Sequence, residues 1–399
     1  MGNKLREFIK EGWGKARTVV DFGLKVPYPA VPPCIVGDFR TLYYWDTYFT
    51  NIGLIVDGYL DWAKENVENL LYALHHFGCV PNYLRSDGAD YCSQPPLLSL
   101  MVQDIYALTK DDAWLARAVE GLEIEYAFWM RERITPIGLN QYGCNAQTED
   151  LLVGYYEYVS KRISLPQDIS TESKMLAARN FVAEAESGQD YNPRYENHNS
   201  LDYVQIDLNS HLYGMEKFLY EYFKDVDAKK AAFYYERMQT RVALIEKYCY
   251  DAEKGFYCDY DFVKGKRGIA ATACFLPYFY KYAKNGDGLK NLYKLLKTNG
   301  GVTVCQDVGV SGYQWGYPYL WPPCQYFAYR ALKNYGHDDL AKELRDNFTR
   351  LLSNTFDKTG VLWERYDENG NAPDLEYPTQ MMLGWTAGVY RYFESIESK

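Results

Sequence analysis

Apolar residues recur at helical spacing through most of this chain. Over residues 4–20, Leu5, Phe8, Ile9 and Trp13 fall on one face of a helix. The same period predicts helices over 46–57, 62–77, 111–131, 147–159, 173–185, 207–223, 227–249, 270–285, 288–296, 321–335, 338–354 and 381–398. One more is opened by Ser93-Gln-Pro-Pro and runs through Leu108, since Pro just inside a helix start loses no hydrogen bond. Strand-like alternation is rare; residues 251–261 carry a short aromatic version, a hairpin or an extended loop. Val26-Pro-Tyr-Pro-Ala-Val-Pro-Pro excludes helix, because its prolines remove donors and fix φ.

Long loops rich in Gly, Pro and aromatics stand at every second junction of this series. Paired helices joined that way predict an all-α chain closed in a ring, with one set of loops at one mouth. A solenoid of helical repeats is the competing architecture, but no self-similarity appears at a period of about 34–47 residues. No linker, low-complexity tract or charge block divides the sequence. Residues 1–399 therefore read as one domain, with 1–37 a helix and Pro-rich lead-in.

Composition then narrows the chemistry. The chain is 47% hydrophobic and 17% aromatic, with 40 Tyr, more than a core requires because a phenol favours one wet end. An aromatic cleft is expected, with dense packing accounting for part of the excess. A net charge of −10 without a Lys/Arg run argues against nucleic acid or anionic membranes as partners. No apolar stretch approaches the ~18 residues of a membrane span. Nine scattered Cys with no C-x-x-C read as reduced thiols, and the N-terminus lacks a secretory apolar region, so a cytoplasmic protein is expected. Five His without ligand spacing argue against a zinc enzyme. The expected assembly is a monomer or small homo-oligomer.

Four stretches hold more rings and polar groups than a turn needs. Glu186-Ser-Gly-Gln-Asp190-Tyr-Asn-Pro sets a carboxylate on a Gly-bounded loop among aromatics. Apolar walls that raise a pKa and flat faces for sugar C–H bonds suit a sugar-cleaving acid; a polar interhelical turn fits the residues equally. Arg40 with Tyr43, Tyr44, Trp45, Asp46 and Tyr48 is the second, where Asp46 reads as an N-cap or as a group holding two sugar hydroxyls. Residues 310–323, with three Tyr and two Trp between Gly and Pro breaks, read as a binding wall. Glu364, between a Trp and an Arg, belongs to a site or to a salt-bridged turn. Asp367-Glu-Asn-Gly-Asn lacks the ligand spacing of a calcium loop and reads as a solvated turn.

Seven motifs then fall in one order: Tyr43-Tyr-Trp-Asp-Thr-Tyr-Phe; Val80-Pro-Asn with Ser93-Gln-Pro-Pro; Glu186-Ser-Gly-Gln-Asp; Ile206-Asp-Leu-Asn-Ser; Gln314-Trp-Gly-Tyr-Pro-Tyr-Leu-Trp-Pro-Pro; Glu364-Arg-Tyr-Asp; and Leu375-Glu-Tyr with Gly384-Trp-Thr-Ala-Gly. This series resembles the trehalases, glycoside hydrolase family 37, and more loosely the related α-glycosidases. The resemblance runs from about Arg40 to Tyr392 and implies an (α/α)6 toroid. It implies an inverting α-glycosidase for a small α-linked disaccharide or glycoside, trehalose foremost, with no cofactor and no metal. It places Asp190 on the general acid and Glu364 on the general base, the first protonated at rest and the second ionised. Arg40, Trp45, Asp46, Asn82, Gln94 and Glu376 fall on positions that hold the sugar whose bond is cut. Trp315 and Trp321 fall on the signature loop lining the site, and Trp385 on the C-terminal Gly-Trp-Thr segment. On residue type alone, Arg40 fits a surface ion pair, Asn82 a turn, Gln94 a helix-start polar group and the three Trp core packing. Arg194 and Asp207 match motifs as possible buttresses of the acid's loop.

The departures bear on substrate. The family usually has Trp where this chain has Gln189, Arg where it has Cys92 and Gln141, and Asp where it has Gly316. Gln141 and Gln189 thus become candidate binding residues of altered chemistry. Losing two sugar-gripping cations leaves open an α-glucoside or an α-mannoside such as mannosylglycerate. It also leaves open a catalytically silent sugar-binding protein on the same fold. A sugar epimerase would rely on His, and none lies in a matched loop.

Overall fold

Side-chain caps fix where several helices begin. The computed structural model describes residues 2–19, 24–37 and 39–397; Asp38 and the last residues of two predicted helices, Val20 and Ser398, lie outside the described residues. The helices are α1 (Gly2–Ala16), α2 (Tyr44–Val56), α3 (Leu60–Phe77), α4 (Leu98–Thr109), α5 (Asp112–Glu132), α6 (Glu149–Arg162), α7 (Thr171–Glu186), α8 (Ile206–Phe223), α9 (Ala228–Tyr248), α10 (Leu276–Phe279), α11 (Leu289–Leu296), α12 (Pro322–Asn334), α13 (Asp338–Thr359) and α14 (Gly384–Glu397). Asp111, Thr148, Ser170 and Asp227 each accept an amide hydrogen from the first turn that follows, which satisfies donors a helix start leaves free.

Twelve of these helices alternate in sequence between an outer and an inner place. The inner helices α2, α4, α8, α10, α12 and α14 touch in that order, and α14 packs back on α2 to close the ring. Helices α1, α3, α5, α9, α11 and α13 lie outside them. The fold is an (α/α)6 toroid. Each outer helix hands the chain to the next inner one, so every outer-to-inner connection opens at the same mouth. Helices α6 and α7 stand apart as a hairpin inserted between α5 and α8, packed around Leu152, Tyr156 and Ala178.

Closure rests on two glycines. A Cβ on Gly388 of α14 would lie 1.9 Å from the Phe49 carbonyl oxygen of α2, and one on Gly53 would lie 2.7 Å from Gly388 Cα. Only bare backbones fit so close.

Short strands accompany the α9–α10 connection: β1 (Tyr203–Val204), β2 (Tyr250–Asp251), β3 (Phe256–Tyr257), β4 (Tyr260–Asp261) and β5 (Lys266–Arg267). β2 pairs with β3 as a hairpin, and β4 joins β1 and β5 in an antiparallel sheet, Tyr203 opposite Asp261.

Three predicted helices differ in ways that matter. Ser93-Gln-Pro-Pro does not open α4; Pro96 disfavours helical backbone at Pro95, and helix starts at Leu98. Residues 270–285 form only a 3₁₀ turn and the four-residue α10, because Lys281 adopts φ +61° and turns the chain. Helix α6 runs three residues past its predicted end at Val159, and its last residue is Arg162.

Candidate active site

The acid's loop follows α7 and is held from below. Gly188 has φ +71°, and a Cβ there would strike the Trp45 ring at 2.7 Å, so the indole lies flat on the bare backbone. Ser187 Oγ donates to Glu184 O (2.6 Å) and accepts from the Gln189 amide (3.2 Å). Gln189 Oε1 accepts from Arg194 Nη1 at 2.9 Å. Arg194, fully buried, also donates to Asp207 (3.0 Å) and with two nitrogens to Asp259 (3.0 Å each). Arg194 and Asp207 thus buttress the loop, and Gln189 is tied to that floor. Burial pushes the Asp259 carboxyl up, against the pull of Arg194.

Glu186 roots the same loop to two others. Its carboxylate accepts from the amides of Ser93 (2.9 Å) and Gly143 (2.6 Å) and from Arg133 Nε (2.7 Å) and Nη2 (2.9 Å). Asp190 then stands half-buried, 34% of its side chain exposed, with Arg162 Nη2 3.7 Å from Oδ2. Tyr191 carries φ +55°, a strained value for a non-Gly residue. Its carbonyl accepts from the Trp315 amide (3.3 Å), and its ring packs against His198 and Tyr313.

Glu364 lies in the α13–α14 connection and is 2% exposed. Tyr377 Oη donates to its Oε1 (2.6 Å) and Arg365 Nη1 to its Oε2 (2.9 Å). Its carbonyl accepts from Trp385 Nε1 at 2.9 Å. Burial pushes the Glu364 carboxyl up to about 7, against the pull of Arg365 and of the Tyr377 hydroxyl. A carboxyl at about 7 stands between its two forms at neutral pH. Burial, reinforced by the nearby Glu364 charge, also raises Asp46 well above the usual carboxylate range. Glu376 is raised by burial and by Asp190 while Arg162 and Arg365 pull it down.

The other predicted positions divide in two. Trp45, Trp315, Trp321 and Trp385 form one cluster, with Trp315 stacked on Trp321 at 3.5 Å between centroids and 13° between planes. Trp321 is fully buried behind Trp315, and its Nε1 donates to the Gln314 carbonyl (3.2 Å), so it supports the wall. Gln94 Oε1 accepts from the Trp45 amide at 3.0 Å and so fastens the first turn of α2. The Asn82 carbonyl accepts from the Tyr44 amide at 3.1 Å. Several buried polar atoms in these loops have no partner among the described residues: Asn82 Oδ1, Gln141 Oε1, Gln314 Oε1, Trp315 Nε1 and Glu376 Oε2. Arg40 is exposed and makes no ion pair among the described residues. The Asp367 carboxylate is used within its own turn, accepting from the amides of Asn369 and Asn371.

Sequence reasoning missed Arg162, Tyr377 and the anchoring pair Arg133–Glu186. A longer reading of α6 was the one available signal for Arg162; Glu186 and Tyr377 lie in quoted motifs but were given no role, and nothing local marks Arg133.

A family model described as trehalase matches residues 23–396. The chain belongs to the trehalase family. It is 31% identical over 424 aligned residues to periplasmic trehalase of Escherichia coli, covering 97% of this chain and 73% of that protein. Periplasmic trehalase of Shigella flexneri matches with the same identity and coverage. Among solved structures, neutral trehalase of Saccharomyces cerevisiae superposes with a TM-score of 0.77 at 24% identity, over 92% of this chain and 73% of that one. A mannosylglycerate hydrolase of Thermus thermophilus superposes with a TM-score of 0.63 at 16% identity, over 98% and 100% of the two chains, a likeness of fold. This trehalase-family protein is a glycoside hydrolase, and its substrate is a carbohydrate.

The family relation corrects the expected compartment. A cytoplasmic location does not stand, because the curated relatives are periplasmic enzymes. The thiols misled for a physical reason: eight of the nine free Cys are buried and Cys144 is partly so, and a buried, unreactive thiol carries no signal of compartment. No helix among the described residues is long and apolar enough to cross a membrane.

Proposed function

We propose that this enzyme hydrolyses trehalose with inversion at the anomeric carbon, Asp190 acting as general acid and Glu364 as general base. The observation that carries this reading is the contrast between the two carboxyls across one mouth. Asp190 stands open on its loop while Glu364 is closed in, and Asp190's charge reaches Glu364 without a hydrogen bond joining them. Inversion requires room for a sugar ring and a water between the two, with carboxyls roughly 6.5–9.5 Å apart. Asp190 gives its proton to the glycosidic oxygen as the C–O bond breaks. Glu364 takes a proton from the water that attacks the opposite ring face. A carboxyl near 7 suits a base at neutral pH, since such a base works best when its pKa lies near the working pH.

The unpartnered acceptors on Asn82, Gln141, Gln314 and Glu376 favour a ligand rich in hydroxyl donors. The trehalase relatives support trehalose as that ligand. A second reading, another α-glucoside or α-mannoside, is favoured by Cys92 and Gln141, which cannot supply a charged donor. A screen of α-linked disaccharides and glycosides decides between them: fastest turnover of trehalose supports the proposal, and faster turnover of another glycoside reverses it. Wild-type rates in Asp190→Asn or Glu364→Gln would remove the assignment of acid and base.

A further inference from the structure

Arg162 differs from the most deeply buried arginines among the described residues. Arg133, Arg194, Arg241 and Arg365 are each nearly or fully buried, and every guanidinium nitrogen of each donates to a protein acceptor. Arg162, at the C-terminal end of α6, is 18% exposed. Its Nη1 donates to Tyr158 Oη (3.0 Å) and its Nη2 meets Glu376 Oε1, while Nε has no partner among the described residues. The guanidinium is clamped between two aromatic faces, 5.2 Å from the Tyr158 ring and 5.1 Å from the Tyr377 ring, so its orientation is preset.

Its partner is equally incomplete. Glu376 uses Oε1 for Arg162 and leaves Oε2 buried without a partner. A spare donor and a spare acceptor thus sit side by side, next to Asp190. A purely structural ion pair would satisfy the buried Oε2 as well, because an unmet buried polar atom is destabilising. Two neighbouring hydroxyls of a pyranose are complementary: one oxygen accepts from Arg162 and the adjacent hydroxyl donates to Glu376.

We propose that Arg162 is a specificity-determining residue, which with Glu376 grips a vicinal diol of the sugar and is delivered to the site by the inserted α6–α7 hairpin. This rests on the glycosidase reading of the site, but only on its carbohydrate ligand. The hairpin is an insertion between ring helices, so the sugar-gripping cation is carried by an element separate from the ring that carries Glu364.

A double cycle tests it. Glucose and each of its monodeoxy analogues are titrated calorimetrically into the wild-type chain and into Arg162→Ala, with Arg162→Gln as the second variant should the first fail to fold. A charged hydrogen bond to a hydroxyl is worth at least about tenfold in Kd. The variant is expected to bind glucose about tenfold or more weakly. One deoxy position should cost the wild type affinity and cost the variant nothing further. Added guanidinium should restore part of the affinity, which no structural role predicts. Unchanged glucose affinity in the variant, or losses that multiply at every deoxy position, would overturn the proposal. Because binding is the readout, failure to hydrolyse trehalose would reject the proposed reaction and leave this result standing.

Discussion

Two Glu–Arg pairs stand at the same mouth and differ in completeness. In Glu186–Arg133 both carboxylate oxygens and all three guanidinium nitrogens are matched, and two loop amides complete the set. In Glu376–Arg162 one oxygen and one nitrogen are left over. The first pair ties the acid's loop to two neighbouring loops. The second joins Arg162 of the hairpin to Glu376 of the α13–α14 connection, beside a half-exposed Asp190. Completeness therefore separates the pair that builds the mouth from the pair proposed to hold a ligand there, a distinction residue type alone does not carry.

The largest expected effect comes from breaking the complete pair. Glu186→Ala leaves a buried guanidinium and two amides without acceptors and should destabilise the protein by about 3–5 kcal/mol, measured by chemical denaturation. A loss below about 1 kcal/mol would erase the contrast between the pairs. Gly388→Ala tests the ring independently of either pair; forcing a methyl against the Phe49 carbonyl should cost roughly 1–3 kcal/mol by the same measurement.

The pH dependence of Glu364 comes next. Its folded value of about 7 lies above the ordinary 4.5, so the folded chain keeps a proton that the unfolded chain releases between them. Stability contributed by this group is present below about 4.5 and is lost as pH rises to 7. Glu364→Gln should flatten that part of the stability profile. For activity the sign is opposite: a base must be ionised, so kcat/KM should rise through pH 7. An acid limb near 4 would contradict the burial argument. The smallest effect belongs to the incomplete pair, where Arg162→Ala should cost about 1–2 kcal/mol, because it removes fewer hydrogen bonds from its carboxylate than Glu186→Ala strands. A loss as large as that of Glu186→Ala would make it a second anchor.

The ring was legible because its logic is periodic. Amphipathic stretches gave the helices, and polar, aromatic loops at every second junction gave one shared mouth. Asp190, Glu364, Asp46 and Glu376 were readable as carboxylates in motifs. What stayed hidden depends on distant partners. Arg162 looked like an ordinary basic residue near a helix end, where a cation favours the helix dipole. Glu186 and Arg133 lie far apart in sequence, and Gln94 fastens α2 from another loop. The Gly53–Gly388 approach joins opposite ends of the chain, where no local pattern announces it.

The central claim is inversion by Asp190 and Glu364, and proton NMR of the first turnovers on trehalose tests it most directly. Both glucose units enter as α anomers, and only the one whose anomeric carbon is attacked can change. The account predicts equal amounts of α- and β-glucose before mutarotation. Release of α-glucose alone would contradict it.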